Sequence, residues 1–284
     1  MEQNYFDFII CGAGASGLLL LKAIREDSFF NEKSILIIEK EIKNVNDRTW
    51  SYWESPNGSF DSILSKKWSK ANFCSEDFDS DFDLNPYQYK MLRSAGFYQS
   101  IRNKYSNLKN TIFLHAELKN IDSKNIMTEV ITSEGKFQSN KVFNSLFDPK
   151  PMINQKKYPV LQQHFVGWFI KTKKISFDSS KVIFMDFNIP QVQETRFIYI
   201  LPIDQYSALV EYTLFSKNLL HFDDYETGIK AYLDSKGITE YEIKEKEQGK
   251  IPMTCFPFEK FNCRSLLHIG TAGGWTKAST GYTF

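Results

Sequence analysis

The hydrophobic pattern of the first forty residues predicts a strand, a helix and a second strand in close succession. An apolar run over residues 5–11 (YFDFIIC) and another over 34–38 (SILII) have the length of buried strands. Between them, the leucine-rich stretch 18–24 has a helical pattern. The sequence GAGASG at 12–17 joins the first strand to the helix. This order predicts a parallel βαβ unit with a glycine-rich turn.

The glycine spacing and the acid after the second strand predict a dinucleotide site. Gly12 permits the tight turn, Gly14 lets a pyrophosphate approach the backbone, and Gly17 lets helix and strand pack closely. The helix that follows directs free N–H groups and a positive dipole end towards the phosphates. Glu39 can accept hydrogen bonds from the adenosine ribose and would repel a 2′-phosphate, which argues against NADP at this site. The alternative is a plain glycine-rich turn with a surface glutamate.

The middle of the chain predicts additions to this unit. Residues 91–102 are predicted to be helical and 111–115 a strand; the stretch 59–80 has no clear pattern. The next segments predict a short antiparallel meander and a returning strand, which would extend a parallel sheet: 116–118, 127–132, 136–137 and 141–145. Two-dinucleotide flavoproteins are commonly built this way, although the same pieces could decorate a plain Rossmann fold.

From residue 158 the pattern changes to successive strands with short links. Segments 162–170, 182–187, 196–202, 208–214 and 250–253 are predicted strands, and 222–235 is a predicted helix. This indicates an antiparallel sheet that faces the substrate. The run 266–270 then resembles a last parallel strand. We therefore predict an α/β protein whose cofactor-binding domain spans 1–150, with a substrate domain at 151–255 and a return to the first domain at 256–284.

Composition excludes few classes of function. Lys plus Arg number 35 and Asp plus Glu 34, so the net charge of +1 gives no basic field for nucleic acid. No apolar run is long enough to span a bilayer, and the N-terminus lacks a basic signal-peptide region. Four cysteines without CxxC pairing suit a reducing cytoplasm. No His, Cys or Asp cluster has metal-ligand spacing, so we expect no metal. Aromatic residues reach 15%, which fits either generic core filling or a large apolar ligand site.

The chain resembles the bacterial-type lycopene β-cyclase family of carotenoid flavoproteins. The segments that carry the resemblance occur in the family's order: 48–53 (RTWSYW), 163–167 (QHFVG), 184–186 (FMD), 196–202 (RFIYILP), 209–213 (LVEYT), 249–252 (GKIP), 270–274 (GTAGG) and 279–282 (STGY). Family members continue for roughly another hundred residues, about a small domain. We therefore expect a fragment that lacks C-terminal helices.

The resemblance implies a Rossmann-like FAD-binding domain and a linear carotenoid substrate, lycopene or a relative of it. It implies FAD in the reduced form, with NADPH as the reductant and the anionic flavin ring stabilising a cationic intermediate. It also implies a cytoplasmic protein held peripherally on the inner face of the membrane. The residues expected to hold FAD are Gly12, Gly14, Ala15, Ser16, Gly17, Glu39, Lys40, Arg48, Gly270, Gly273 and Gly274.

The implied reaction closes a β-ionone ring without net redox change and needs an acid that stays protonated. Glu211 lies in the motif that carries the family's catalytic glutamate, within an apolar strand where burial would raise its pKa. Alternatively, Glu211 is a solvated residue on the polar face of that strand. Asp186 is a second candidate that would orient Glu211 or help to remove the proton; otherwise it is a strand-end turn residue. His164 is expected to be a core histidine, and Glu247 with 249–252 to shape a turn.

Two other functions stay open on the same scaffold. A flavin monooxygenase or halogenase shares the two-domain plan, and it would consume NADPH in an oxygen-dependent way. A non-enzymatic isoprenoid-binding protein would need no functioning flavin.

Overall fold

The computed structural model describes residues 4–123 and 127–283. The α-helices are α1 (Ala15–Glu26), α2 (Ser94–Tyr105), α3 (Lys150–Ile153) and α4 (Phe222–Ser235). The strands are β1 (Tyr5–Cys11), β2 (Ile35–Glu39), β3 (Thr49–Glu54), β4 (Lys66–Trp68), β5 (Lys70–Ser75), β6 (Phe78–Asp83), β7 (Gln88–Arg93), β8 (Thr111–His115), β9 (Leu118–Asp122), β10 (Thr128–Thr132), β11 (Gly135–Asn144), β12 (Val160–Thr172), β13 (Lys181–Asp186), β14 (Thr195–Pro202), β15 (Ser207–Ser216), β16 (Tyr241–Thr254) and β17 (Leu266–His268).

The first sheet has the parallel arrangement that the N-terminal pattern predicts. Its strand order is β8-β2-β1-β11-β10-β9, and β17 also pairs with β11. The strands β8, β2, β1, β11 and β17 pair in parallel, whereas β9 and β10 extend the sheet as an antiparallel meander. Leu18, Leu21 and Ile24 bury one face of α1, because a spacing of three residues keeps apolar side chains on one side of a helix. The parallel sheet and its meander insertion are thus confirmed.

The second sheet is mostly antiparallel, as predicted, and has the order β16-β12-β15-β14-β13-β5-β6. Helix α4 packs on one face, where Tyr225, Ile229 and Leu233 meet Val210 and Tyr212 of β15. The opposite face carries Leu209 and Phe169, which cluster with Trp68, Tyr89 and Met91. Trp68, Tyr89 and Met91 belong to a third sheet with the order β3-β7-β4. The central strands of the second sheet are therefore covered on both faces.

Three details of the structure differ from the sequence predictions. Residues 88–93 form β7, and the helix predicted over 91–102 begins only at Ser94, because β7 pairs with both β3 and β4. Residues 249–252 lie inside the long strand β16, so their interpretation as a turn was wrong. Strands β5 and β6, from the stretch without a clear pattern, join the second sheet. The division of the chain into domains near residue 150 stays a prediction.

Candidate functional site

The glycine-rich turn between β1 and α1 has the geometry that close approach of a phosphate needs. Gly12 has a φ of +97°, and a Cβ atom at Gly17 would lie 2.0 Å from the carbonyl oxygen of Gly12. A Cβ atom at Gly14, by contrast, would meet no atom within 4 Å. Gly14 is the N-cap of α1, whose first turn contains no acidic residue and whose cap makes no side-chain hydrogen bond. This helix start is therefore open to an anion.

Glu39 lies beside the glycine-rich turn, at the end of β2. Its Oε2 atom accepts a hydrogen bond from the Ala13 amide at 2.8 Å, and its Oε1 atom accepts one from the Glu41 amide at 3.0 Å. A crevice of about 230 Å³ is lined by Ala13, Glu39, Lys43 and Arg102 among others. The predicted ribose acid and the predicted phosphate turn thus lie together at one crevice, and these residues fit the adenosine half of FAD.

The last strand returns the chain to this turn. A Cβ atom at Gly270 would lie 2.0 Å from the Ser16 hydroxyl oxygen, so Gly270 and the second residue of α1 are in close contact. Gly270 and Gly274 have φ values of +60° and +74°, which favour glycine. A Cβ atom at Gly273 would overlap the carbonyl oxygen of His268. The turn at 270–274 therefore follows the last parallel strand and begins against the first turn of α1.

The two predicted cationic residues occupy less enclosed positions. Lys40 is exposed and lies 3.9 Å from a carboxylate oxygen of Glu41. Arg48 is exposed too, and its guanidinium group donates to the carbonyl oxygen of Asp47. Lys43 and Arg102 line the crevice beside Glu39, and sequence analysis did not single them out. The structure thus leaves the phosphate-binding roles of Lys40 and Arg48 as predictions.

Glu211 lies on the face of the second sheet that the third sheet covers. Its neighbours across the strands are Tyr199 of β14 and Gly167 of β12, and Gly167 in turn pairs with Glu247 of β16. Directly paired residues direct their side chains to the same face of a sheet. These four residues form a row in the order Tyr199, Glu211, Gly167 and Glu247. We call this the carboxyl row.

Burial changes the chemistry of Glu211. The residue is 8% exposed, and its Oε1 atom accepts a hydrogen bond of 2.6 Å from the Thr213 hydroxyl. Loss of solvation, with a smaller contribution from the negative charge of Glu247, raises the pKa of the Glu211 carboxyl to about 8, against the opposing hydrogen bond from Thr213. The solvated alternative is wrong, and Glu211 is a buried carboxylic acid near neutral pH.

Glu247 was expected to shape a turn, but the structure places it inside β16, opposite Gly167. Burial raises the pKa of its carboxyl, while a hydrogen bond of 2.6 Å from the Thr49 hydroxyl and the cations Arg93 and Arg48 oppose that shift. Glu247 lies in β16, where five of the other thirteen residues are charged. Charged residues occur on both faces of this strand, so no signal in the sequence marked Glu247 as a residue of the covered sheet face.

Aromatic rings surround the Glu211 end of the carboxyl row. The ring of Tyr199 lies 5.6 Å from that of Phe184, which in turn lies 5.4 Å from Tyr89 and 5.2 Å from Trp53. The hydroxyl oxygens of Tyr89 and Tyr282 are 3.4 Å apart. We call Trp53, Tyr89, Phe184, Tyr199 and Tyr282 the aromatic wall. Electron-rich faces of this kind stabilise a nearby cation.

Asp186 does not join this site. It pairs with Ile198 of β14, next to Tyr199 in sequence, and therefore lies on the opposite face of the sheet. The residue is 1% exposed, and its carboxylate accepts a hydrogen bond of 2.7 Å from the Tyr232 hydroxyl of α4 and lies 3.2 Å from the amino group of Lys236. The expectation that Asp186 orients Glu211 was wrong, because the two side chains lie on opposite faces of the sheet. Asp186 instead anchors α4 to the sheet.

His164 is a core histidine with both ring nitrogens bonded, as predicted. Its Nε2 and Nδ1 atoms lie 2.8 Å from the Ser216 hydroxyl and 2.7 Å from the Tyr225 hydroxyl. Burial lowers the pKa of its imidazole. Within residues 4–123 and 127–283, no group of three or more His, Cys, Asp or Glu side chains is placed to hold a metal ion.

Comparison with known proteins identifies the family. The lycopene cyclase protein family matches residues 7–284. The chain belongs to the lycopene cyclase family. No curated protein matches this lycopene cyclase family member in sequence.

Solved structures with a fold similar to that of this chain come from proteins with other names and activities. A geranylgeranyl bacteriochlorophyll reductase-like protein from Thermoplasma acidophilum is 12% identical with a TM-score of 0.71, over 99% of this chain and 74% of that one. The flavin-dependent brominase Bmp2 is 13% identical with a TM-score of 0.69, over 94% and 72% of the two chains. The p-nitrophenol 4-monooxygenase PnpA from Pseudomonas putida is 12% identical with a TM-score of 0.65, over 95% and 73%. At these identities the likeness concerns the fold.

Proposed function

We propose that this chain is an FAD-dependent lycopene cyclase, which closes the end groups of lycopene or a related linear carotenoid into β-ionone rings. The observation that carries the proposal is Glu211, a buried carboxylic acid in the family's catalytic motif with a pKa raised to about 8. An alkene is a weak base, so an acid that is still protonated at neutral pH in a dry site is the first requirement of the reaction.

The side chains around Glu211 meet two further requirements. The carbocation that follows protonation needs electron-rich surfaces, and the aromatic wall supplies ring faces beside the acid. Water must be excluded, or it would add to the cation. Glu211 is held between the second and third sheets, and the nearby Tyr89 is 3% exposed. Glu211 thus donates the proton, and the surrounding rings hold the cation while the ring closes.

The FAD site of the proposal consists of the glycine-rich turn, Glu39 and the Gly270–Gly274 turn. FAD bound there in its reduced, anionic form would supply negative charge to offset that of the cation. The proposal takes NADPH as the source of reducing equivalents, on family grounds.

The proposal also includes peripheral attachment to the inner face of the membrane, where a carotenoid substrate is dissolved. Across the described residues, the structure has no helix that is both long enough and apolar enough to span a bilayer. Vesicle flotation of the purified protein with anionic lipids tests this attachment. Recovery of the protein only at the bottom of the gradient would contradict it.

The test of the function is expression in cells that make lycopene, followed by pigment analysis. Wild type should convert red lycopene to β-carotene, and Glu211→Gln should lower conversion by about 100-fold or more, since a positioned general acid contributes at least that much. Glu242→Gln is the matched control, because Glu242 is an exposed residue of β16. Unchanged lycopene with wild type, or normal conversion by Glu211→Gln, would refute the proposal. Oxygen-dependent NADPH consumption with a hydroxylated product would favour a monooxygenase instead.

A further inference from the structure

A ring closure of this kind gains one proton and loses another, and the carboxyl row contains two carboxyl groups. Gly167 separates them on the sheet face. A Cβ atom at Gly167 would lie 2.9 Å from Cδ1 of Leu209, 3.2 Å from Cγ of Glu247 and 3.6 Å from Cβ of Glu211. Because Gly167 has no side chain, no side chain of β12 stands between the two glutamates, which lie on the same face of the sheet with Leu209 beside them.

The surroundings of the two carboxyls differ in charge. Burial raises the pKa of both carboxyls. At Glu247 the negative charge of Glu245 adds to that rise, and the hydrogen bond from the Thr49 hydroxyl and the cations Arg93 and Arg48 oppose it. Glu211 has the hydroxyl of Thr213 and the negative charge of Glu247. A hydrogen bond to a carboxylate and a nearby cation both favour its ionised form, while a nearby anion favours the protonated form. Glu247 is therefore the group that ionises first, and Glu211 retains its proton.

We propose that Glu247 is the base of the reaction: it accepts the proton that leaves the newly closed ring and returns a proton to Glu211. This inference rests on the proposed function.

The proton balance of the cycle closes within the pair. The O–H bond of Glu211 breaks as a C–H bond forms on the terminal alkene, and a neighbouring alkene then closes the ring with a new C–C bond. A C–H bond of the ring breaks, its electron pair forms the ring alkene, and an O–H bond forms on Glu247. Transfer of one proton from Glu247 to Glu211 restores both groups, and the product is an isomer of the substrate.

The inference predicts the shape of the rate against pH. The rate should rise with pH as Glu247 ionises and fall as Glu211 loses its proton, near pH 8. The charged groups that act on Glu247 are Arg48 before β3, Arg93 of β7, Glu245 of its own strand and Glu211 of β15. Because the two carboxyls interact, the two midpoints of the rate profile describe the pair of groups and not either residue alone.

Glu247→Gln tests the proposal with two readouts. Cyclisation by the purified flavoprotein should fall by about 100-fold or more, and the acidic limb of the rate profile should disappear. Infrared spectroscopy from about pH 5 to pH 9 detects the C=O stretch of a protonated carboxyl without substrate. The band that Glu211→Gln removes should titrate at lower pH in Glu247→Gln than in wild type, because a negative neighbour has been removed.

A second variant, Thr49→Val, tests the proposal even if Glu247→Gln fails to fold. Thr49→Val removes the hydrogen bond to Glu247, so the acidic limb should move to higher pH and the rate near neutral pH should fall about tenfold. The exposed Glu242→Gln on the same strand should match wild type in both readouts. Wild-type cyclisation by Glu247→Gln together with an unmoved Glu211 band would overturn the inference and leave the proposed function standing. Failure of wild type to cyclise lycopene would refute the proposed function, and the role of Glu247 would fall with it.

Discussion

Glu211→Gln should change how the stability of the protein depends on pH, whatever the substrate is. The carboxyl of Glu211 has an ordinary pKa of 4.5 and a pKa of about 8 when it is buried in the fold. Below the lower value both states are protonated, and burial of the neutral acid contributes in full. As the pH rises through the upper value, the folded state must ionise a buried group, and the contribution is lost.

The magnitude follows from the difference between the two pKa values. About 3.5 units at about 1.36 kcal/mol each give an upper bound of about 5 kcal/mol, lost between about pH 4.5 and pH 8. Gln has nearly the same shape as Glu and no charge to lose. Relative to wild type, the free energy of unfolding of the variant should therefore increase by up to about 5 kcal/mol between about pH 4.5 and pH 8.

The assay is urea unfolding of wild type, Glu211→Gln and Glu242→Gln at a series of pH values, with fluorescence as the readout. The difference between wild type and Glu211→Gln should grow in favour of the variant as the pH rises, and it should level off above about pH 8. Glu242→Gln should follow wild type, since Glu242 is exposed. Parallel curves for wild type and Glu211→Gln would refute the argument that Glu211 is a buried neutral acid.

Three further changes test the glycine-rich turn and the core. Gly17→Ala would place a methyl group 2.0 Å from the Gly12 carbonyl oxygen, so it should lower the free energy of unfolding by about 3 kcal/mol and abolish flavin retention after desalting. Gly96→Ala is the control, because Gly96 of α2 has open space around it; this variant should retain flavin and melt no lower than wild type. Glu39→Ala should weaken FAD binding, measured by fluorescence titration, by about tenfold or more. Lys90→Met should lower the unfolding free energy by about 3 kcal/mol, because this fully buried amine has two carboxylate partners, and an unchanged melting temperature would contradict this.

Local sequence was enough to predict the cofactor turn. Gly12 and Gly17 lie five residues apart and adopt a backbone geometry that favours glycine. Glu39 follows within one strand–helix–strand unit with short links. The meander and the parallel return of β17 followed from strand-length patterns between turns. Glu211 was found through the family motif, since an acid in a half-buried strand pattern is by itself ambiguous.

Most of strand β16 could not be predicted from the sequence. It lies at the edge of the second sheet and is rich in charged residues, as edge strands commonly are, so only its end at 250–253 was predicted to be a strand. Residues 91–93 were predicted to begin the helix that follows them. They end strand β7 instead, because β7 pairs with β3 and β4. In both cases the deciding partner is distant in sequence.

The amino-acid sequence determined by itself the βαβ turn and the class of fold, and it pointed to Glu211 through the family motif. Only the tertiary structure decided which carboxyl accompanies Glu211. Strand register sets the face on which each side chain lies, and a shift of one residue reverses it. That register put Asp186 behind the sheet with Tyr232 and put Glu247 beside Glu211 across Gly167, a pairing of residues 36 positions apart that no local pattern encodes.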